Sequence, residues 1–207
     1  MIKSKQSLSE NSKKIPKVIA VSKTFNLNHI LPLIEYGHID YGENKVQEAV
    51  EKWSDIKAKN SKIKIHLIGK LQTNKVKVSL KIFDFIHSLD NEKLARKISY
   101  EQQKQNVKPK LFIQINIGNE IQKSGIHISE LSKFYNYCKE LNLNIIGIMC
   151  IPPINEDVEK SFSTMNNLKN KFNFQELSMG MSSDYLFAIK YNATFLRIGS
   201  DIFGPRS

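Results

Sequence analysis

The sequence predicts a single-domain α/β protein, a (β/α)8 barrel of the TIM type, and three observations lead there. Short β-branched runs alternate with amphipathic helical stretches along the whole chain, a pattern that builds a parallel sheet covered by helices. The alternation repeats eight times in 207 residues, about 25 residues per unit, which matches a closed barrel. No Pro-, Gly- or Ser-rich linker or shift in composition divides the chain, so the predicted domain is 1–207, with 1–16 as an N-terminal segment. A doubly wound open sheet is the alternative, but the G-x-G-x-x-G fingerprint of its nucleotide-binding members is missing after the first strand.

The first strand, 17–21, reads KVIAV, short and β-branched as a buried strand should be. Leu27, Ile30, Leu31 and Ile34 then recur at the spacing of one helical face. A weak strand at 39–41 precedes a helical stripe of Val46, Ala49, Val50, Trp53 and Ile56. Strand three is expected at 64–68, a short helix at 74–80 and strand four at 83–87. A long helix at 91–105 follows, capped by Asp90 or Asn91. Strand five, 110–115, reads KLFIQI and leads into a stripe of Leu131, Phe134, Tyr135, Cys138 and Leu141. Strand six falls at 145–149, and Val158, Phe162, Met165, Leu168 and Phe172 mark the next helix. A short strand at 176–178, a helix at 184–191 and a last strand at 195–198 complete eight units.

The formal net charge of +11 invites a nucleic-acid or anionic-membrane reading. Of the 31 basic residues, however, only Arg96, Arg197 and Arg206 are arginine. The rest are lysines amid many Asn and Ile, a composition bias spread over solvated faces, so no specific nucleic-acid partner is expected. The opening MIKSKQSLSENSKK carries no apolar stretch, and no signal peptide is expected there. The longest apolar run, 145–154, is interrupted by Pro152 and Pro153 and is too short to span a bilayer. Cys138 and Cys150 are isolated, without the spacing of a zinc site or a disulfide framework, so no metal is expected. These features predict a cytoplasmic, reduced protein with no membrane partner.

Working residues of an α/β barrel sit at the C-terminal ends of its strands. Side chains alternate along a strand, so Ile19, Val21 and Lys23 share one face, and Lys23 points into the barrel mouth if Val21 fills the interior. A free lysine, with a pKa of about 10.4, is almost wholly protonated at neutral pH. Partial burial favours the neutral amine, a candidate Schiff-base nucleophile. In a chain this rich in lysine, a solvated surface charge is the plain alternative. The segment Ser178-Met179-Gly180-Met181-Ser182-Ser183-Asp184 combines small residues, hydroxyls and a following helix N-terminus, which together suit an anion; taken alone it is equally a capped tight turn. Phe195, Arg197 and Gly199 share a face, which sets Arg197 inward beside Lys23, with Gly199 and Ser200 offering backbone donors. Barrels most often place a phosphate after strands seven and eight. The residues thus point to a phosphorylated ligand beside a reactive lysine, and sugar-phosphate chemistry of the class I aldolase kind fits as well as pyridoxal phosphate (PLP).

An ordered set of motifs resembles the pyridoxal phosphate homeostasis proteins from Ile19 onward. It runs through Ala20-Val21-Ser22-Lys23-Thr24, Tyr41-Gly42-Glu43-Asn44 with Gln47-Glu48, and His66-Leu67-Ile68-Gly69-Lys70-Leu71-Gln72-Thr73-Asn74-Lys75. It continues through Ile86-His87-Ser88-Leu89-Asp90, Lys123-Ser124-Gly125, Gly147-Ile148-Met149 with Ile151-Pro152-Pro153, Leu177-Ser178-Met179-Gly180-Met181-Ser182, and Arg197-Ile198-Gly199-Ser200 with Phe203-Gly204. The resemblance implies an alanine-racemase-like barrel without the racemases' second, β-rich domain. It implies that Lys23 carries PLP as an aldimine, that Arg197 faces the pyridine nitrogen, and that Ser182, Gly199 and Ser200 bind the phosphate. Asn44 and Met149 correspond to residues lining the cofactor pocket, while His66 reads as a packed strand histidine. Two departures stand out: only sixteen residues precede the first strand, where relatives carry a longer helix, and Asn192-Ala193-Thr194 replaces a more usual Gly-Ala-Thr.

Arginine can only donate hydrogen bonds, so a pyridine nitrogen facing Arg197 stays unprotonated and the cofactor is a weakened electron sink. Racemases of this barrel type also take a tyrosine base from the domain missing here. The expectation is therefore a monomeric PLP carrier or buffer in cofactor homeostasis, without an established reaction or catalytic residues, and with PLP-dependent apoenzymes as its protein partners. The alternative is a weak or specialised PLP-dependent amino-acid racemase recruiting Tyr41, His66 or His87 as base.

Overall fold

The computed structural model of the protein describes residues 15–120, 122–153 and 157–205, so the predicted N-terminal segment lies, in its first fourteen residues, outside the described residues. The strands are β1 (Lys17–Val21), β2 (Asp40–Glu43), β3 (Lys64–Leu67), β4 (Phe85–Leu89), β5 (Lys110–Ile115), β6 (Ile145–Cys150), β7 (Glu176–Ser178) and β8 (Phe195–Ile198). The helices are α1 (Leu27–Glu35), α2 (Val46–Lys59), α3 (Val76–Ile82), α4 (Glu92–Gln105), α5 (Leu131–Glu140), α6 (Val158–Lys171), α7 (Tyr185–Lys190) and the single turn α8 (Ser200–Phe203). Every strand runs parallel to its neighbours, and β8 closes on β1 from Lys17↔Phe195 to Ala20↔Ile198. The expected (β/α)8 barrel is the observed one.

Strand alternation divides the core in two. Val18 and Ala20 face the helices and join the large cluster containing Trp53, Ile65, Leu111 and Phe162, whereas Ile19 faces the barrel axis and packs with Phe85, Phe112, Met149 and Phe195. Gly42 is where β2 crowds that axis: an added Cβ would lie 2.9 Å from Ile19 Cγ2. Pairing with β3, Gly42↔His66 and Glu43↔Leu67, carries β2 on to Glu43, beyond the predicted 39–41. β4 starts two residues later than predicted, because Phe83 N–H donates to Ser79 O at 2.9 Å and ends α3. Asp84 serves the connection, accepting from Lys57 Nζ at 2.6 Å and from Ile65 N–H at 2.9 Å.

Asn91 is the cap of α4, its Oδ1 accepting from Leu94 N–H at 2.8 Å. Four helices end on a left-handed asparagine: Asn106, Asn142, Asn173 and Asn192 have φ of 52°, 52°, 55° and 60°. Glycine usually fills this position, and asparagine is the residue that best tolerates it otherwise. The Asn-for-Gly departure at Asn192 is thereby accommodated without a change of turn. Among the described residues no helix is long and apolar enough to cross a membrane.

Candidate functional site

The C-terminal ends of the strands surround an open cavity of about 620 Å³. Lys23 reaches it from the turn after β1, half-buried and on the same face as Ile19 and Val21. That turn is held firmly. Ser22 N–H donates to Gly42 O at 3.0 Å, and Ser22 Oγ donates to Glu43 Oε1 at 2.8 Å. Thr24 adopts φ 69°, rare for a β-branched residue, and its N–H donates to Glu48 Oε1 at 2.7 Å.

Glu43, fully buried on the helix side of β2, is the hub of this support. Its Oε1 also accepts from Lys52 Nζ at 3.0 Å and from Trp53 Nε1 at 2.9 Å, while Lys52 Nζ donates to Ser22 O at 2.9 Å. Asn44, the next residue, turns to the cavity. Gly69 lets the chain pass close beside its backbone, since a Cβ at Gly69 would come within 2.3 Å of Asn44 O.

Next to β1 around the barrel, the loops after β7 and β8 bring Ser182, Gly199 and Ser200 to the same cavity. The first loop turns at Gly180, φ 91°, where a Cβ would collide with Ala188 Cβ at 2.5 Å. Asp184 Oδ1 then accepts from Met181 N–H at 2.6 Å and shapes the turn ahead of α7. Arg197 lies between the loops and the axis, only 4% exposed yet lining the cavity. Its Nη1 donates to Ser178 Oγ at 2.9 Å and its Nη2 to Cys150 O at 2.8 Å, and burial lowers its pKa from the ordinary value.

Six of the seven predicted site residues thus converge: Lys23, Asn44, Ser182, Arg197, Gly199 and Ser200. Met149 stands apart: it is 1% exposed within the axial cluster, while Ile151, two residues on, lines the cavity. His66 is a packed interior histidine, as expected, and Tyr41 is packed on Trp53 at a centroid distance of 4.6 Å with its hydroxyl donating to His38 O. Sequence reasoning missed the supporting roles of Glu43, Lys52 and Ser178, although an acidic residue ending a buried strand is itself a signal. The two cysteines are buried and not joined in a disulfide, and burial pushes the thiols of Cys138 and Cys150 each up to about 12.

The donor set suits a phosphorylated ligand with a flat, acceptor-bearing body. It offers a buried cation, serine hydroxyls on two adjacent loops and a lysine amine at the same cavity. Residues 5–207 match the family described as alanine racemase, N-terminal domain, which is the class this barrel and its mouth define. Alanine racemase of Clostridium difficile 630 shares the fold at a TM-score of 0.71 and 13% identity, over 96% of this chain and 55% of the racemase. PipY of Synechococcus elongatus PCC7942, solved with PLP bound, matches at a TM-score of 0.85 and 30% identity, over 99% of this chain and 100% of that one. A pyridoxal phosphate homeostasis protein of Aquifex aeolicus (strain VF5) is 36% identical over 200 residues, 92% of this chain and 87% of the relative. The chain belongs to the pyridoxal phosphate homeostasis protein family.

Proposed function

We propose that this protein binds PLP at the barrel mouth, covalently through the Lys23 amine, and carries or buffers it in intracellular PLP homeostasis. The observation that carries the reading is the meeting of Lys23, Arg197 and two phosphate-type loops in one cavity. Bound PLP supplies an aldehyde for a lysine amine and a ring able to delocalise charge. Ser182, Gly199 and Ser200 would hold the phosphate, Asn44 would line the cofactor pocket, and Arg197 would donate to the pyridine nitrogen.

Arg197 sets the character of the site. A guanidinium can only donate, so a ring nitrogen facing it would carry no proton and the cofactor would be a weak electron sink. A racemase would also need a base on the far face of the substrate, and none of Tyr41, His66 or His87 lines the cavity. Carriage and release to PLP-dependent apoenzymes, by a monomer in the cytoplasm, is the function these features support best. Borohydride treatment of the PLP-loaded protein followed by peptide mapping tests it. A pyridoxyl adduct on Lys23 is the expected result, and an adduct confined to another lysine would overturn the assignment.

A further inference from the structure

Beneath the cavity a row of buried polar groups crosses the barrel interior. From the mouth downward, Arg197 Nη1 meets Ser178 Oγ at 2.9 Å, and Ser178 Oγ meets His87 Nδ1 at 2.9 Å. His87 Nε2 meets His66 Nδ1 at 3.0 Å, and His66 Nε2 meets Asp40 Oδ1 at 2.9 Å. Ser178, His87 and His66 are all fully buried. Asp40 opens β2 at the barrel floor, where it lines a separate cavity of about 520 Å³ that shares no lining residue with the mouth.

The protons in this row have one consistent order. Burial favours a neutral Asp40 carboxyl, but its hydrogen bond with His66 and nearby positive charge hold its pKa below the ordinary value, so it accepts. Burial keeps both imidazoles below the ordinary histidine value, Asp40 only partly offsetting this for His66, so each ring has one N–H. His66 therefore donates from Nε2 and accepts at Nδ1, and His87 donates from Nε2 and accepts at Nδ1 from the Ser178 hydroxyl. Ser178 then has its lone pairs for Arg197, which can only donate. A hydroxyl that donates becomes a better acceptor, so each link strengthens the next. Without a carboxylate at the foot, His66 and His87 can exchange tautomers together. Two donors then point at Ser178, and its own proton is left buried without an acceptor.

We infer that Asp40 is a positioning residue for the cofactor site, holding Arg197 through this one-way chain from the opposite end of the barrel. The inference rests on the proposed seating of PLP against Arg197.

The test is PLP affinity, by absorbance titration, for the wild type, Asp40→Ala, Ser178→Ala and the double variant. Asp40→Ala should weaken binding by about fivefold in the wild-type background and by less than about twofold once Ser178→Ala has cut the chain, a non-additivity that marks coupled residues. An Asp40 that served only the fold would have the same effect in both backgrounds, or none, and either result overturns the inference. Should Asp40→Ala fail to fold, Asp40→Asn keeps an acceptor without the charge and is judged in the same two backgrounds. Its effect should be smaller and should likewise vanish beside Ser178→Ala, and an equal effect in both would again overturn the inference. A wild type that takes up no PLP would sink the cofactor reading itself, whereas additive effects with uptake intact would sink this inference alone.

Discussion

His66 lies flat against Phe85, ring centroids 4.2 Å apart and planes 8° from parallel. His87 lies on Phe112 in the same way, at 4.2 Å and 15°. Both imidazoles are fully buried, and burial holds both below the ordinary value of 6.5. The unfolded chain binds protons at these histidines before the folded one does, so stability is fully present above pH 6.5 and is lost as pH falls below it. Each histidine contributes a slope of up to about 1.4 kcal/mol per pH unit in that window. Urea unfolding at pH 7.5 and 5.5 should show the fall, and His87→Phe should reduce it, leaving the contribution of His66. Equal stability at both pH values would mean the rings are protonated in the fold.

The phosphate loops give a discriminating substitution. Ser200→Glu places a carboxylate where the phosphate is proposed to sit, and should weaken PLP binding by about tenfold or more through like-charge repulsion. Pyridoxal, which has no phosphate, should be affected by less than about twofold in the same titration. Equal weakening of both vitamers would show that α8 does not face the phosphate.

Gly180 has a conformational reason to be glycine. At φ 91°, and with Ala188 Cβ 2.5 Å from the site of an added Cβ, Gly180→Ala combines backbone strain with overpacking. A loss of about 2–4 kcal/mol is expected in chemical denaturation. A loss below about 1 kcal/mol would mean that the loop relaxes.

Glu43 supports Lys23 from behind the sheet. Glu43→Gln leaves Lys52, whose side chain is 8% exposed, with the more distant Glu48 as its carboxylate partner at 3.3 Å. Removing one member of a buried pair costs about 3–5 kcal/mol. With Glu48 still compensating Lys52, the variant should lose less than that and, with the turn after β1 loosened, should react more slowly with PLP at Lys23. Unchanged stability together with an unchanged uptake rate would show that the hub is dispensable.

The +11 charge should act as background. A protein making six or more phosphate contacts loses about a thousandfold in affinity between about 50 and 200 mM salt. Weak, sequence-blind retention on nucleic acid at low salt is expected here, and tight binding at physiological salt would contradict it.

Much of the site was legible because strand parity continues past the strand ends. Ile19, Val21 and Lys23 keep one face, as do Phe195, Arg197 and Gly199, and both rows emerge at the mouth. Parity does not report depth, however, and Met149 shows the limit. Depth along the axis depends on the stagger between strands, and between β5 and β6 the register shifts from Leu111↔Ile145 to Phe112↔Gly147. The interior row was equally hidden, since His66 reaches Asp40 and His87 across 26 and 21 residues, and His87 reaches Ser178 across 91. No local pattern links such positions. Apart from Asn192, the left-handed asparagines escaped notice for another reason: in a chain rich in Asn, Asn106, Asn142 and Asn173 look like the rest.

The burial of Cys138 and Cys150 gives the protein a silent thiol background. With their thiols raised to about 12, neither supplies the thiolate that maleimide or iodoacetamide attacks at neutral pH. Labelling of the native chain should therefore wait on opening of the structure. Cys150 is the more informative of the two, since its carbonyl accepts from Arg197. Its alkylation should report exposure of the mouth strand itself, whereas a cysteine introduced on the surface would label at once without interference.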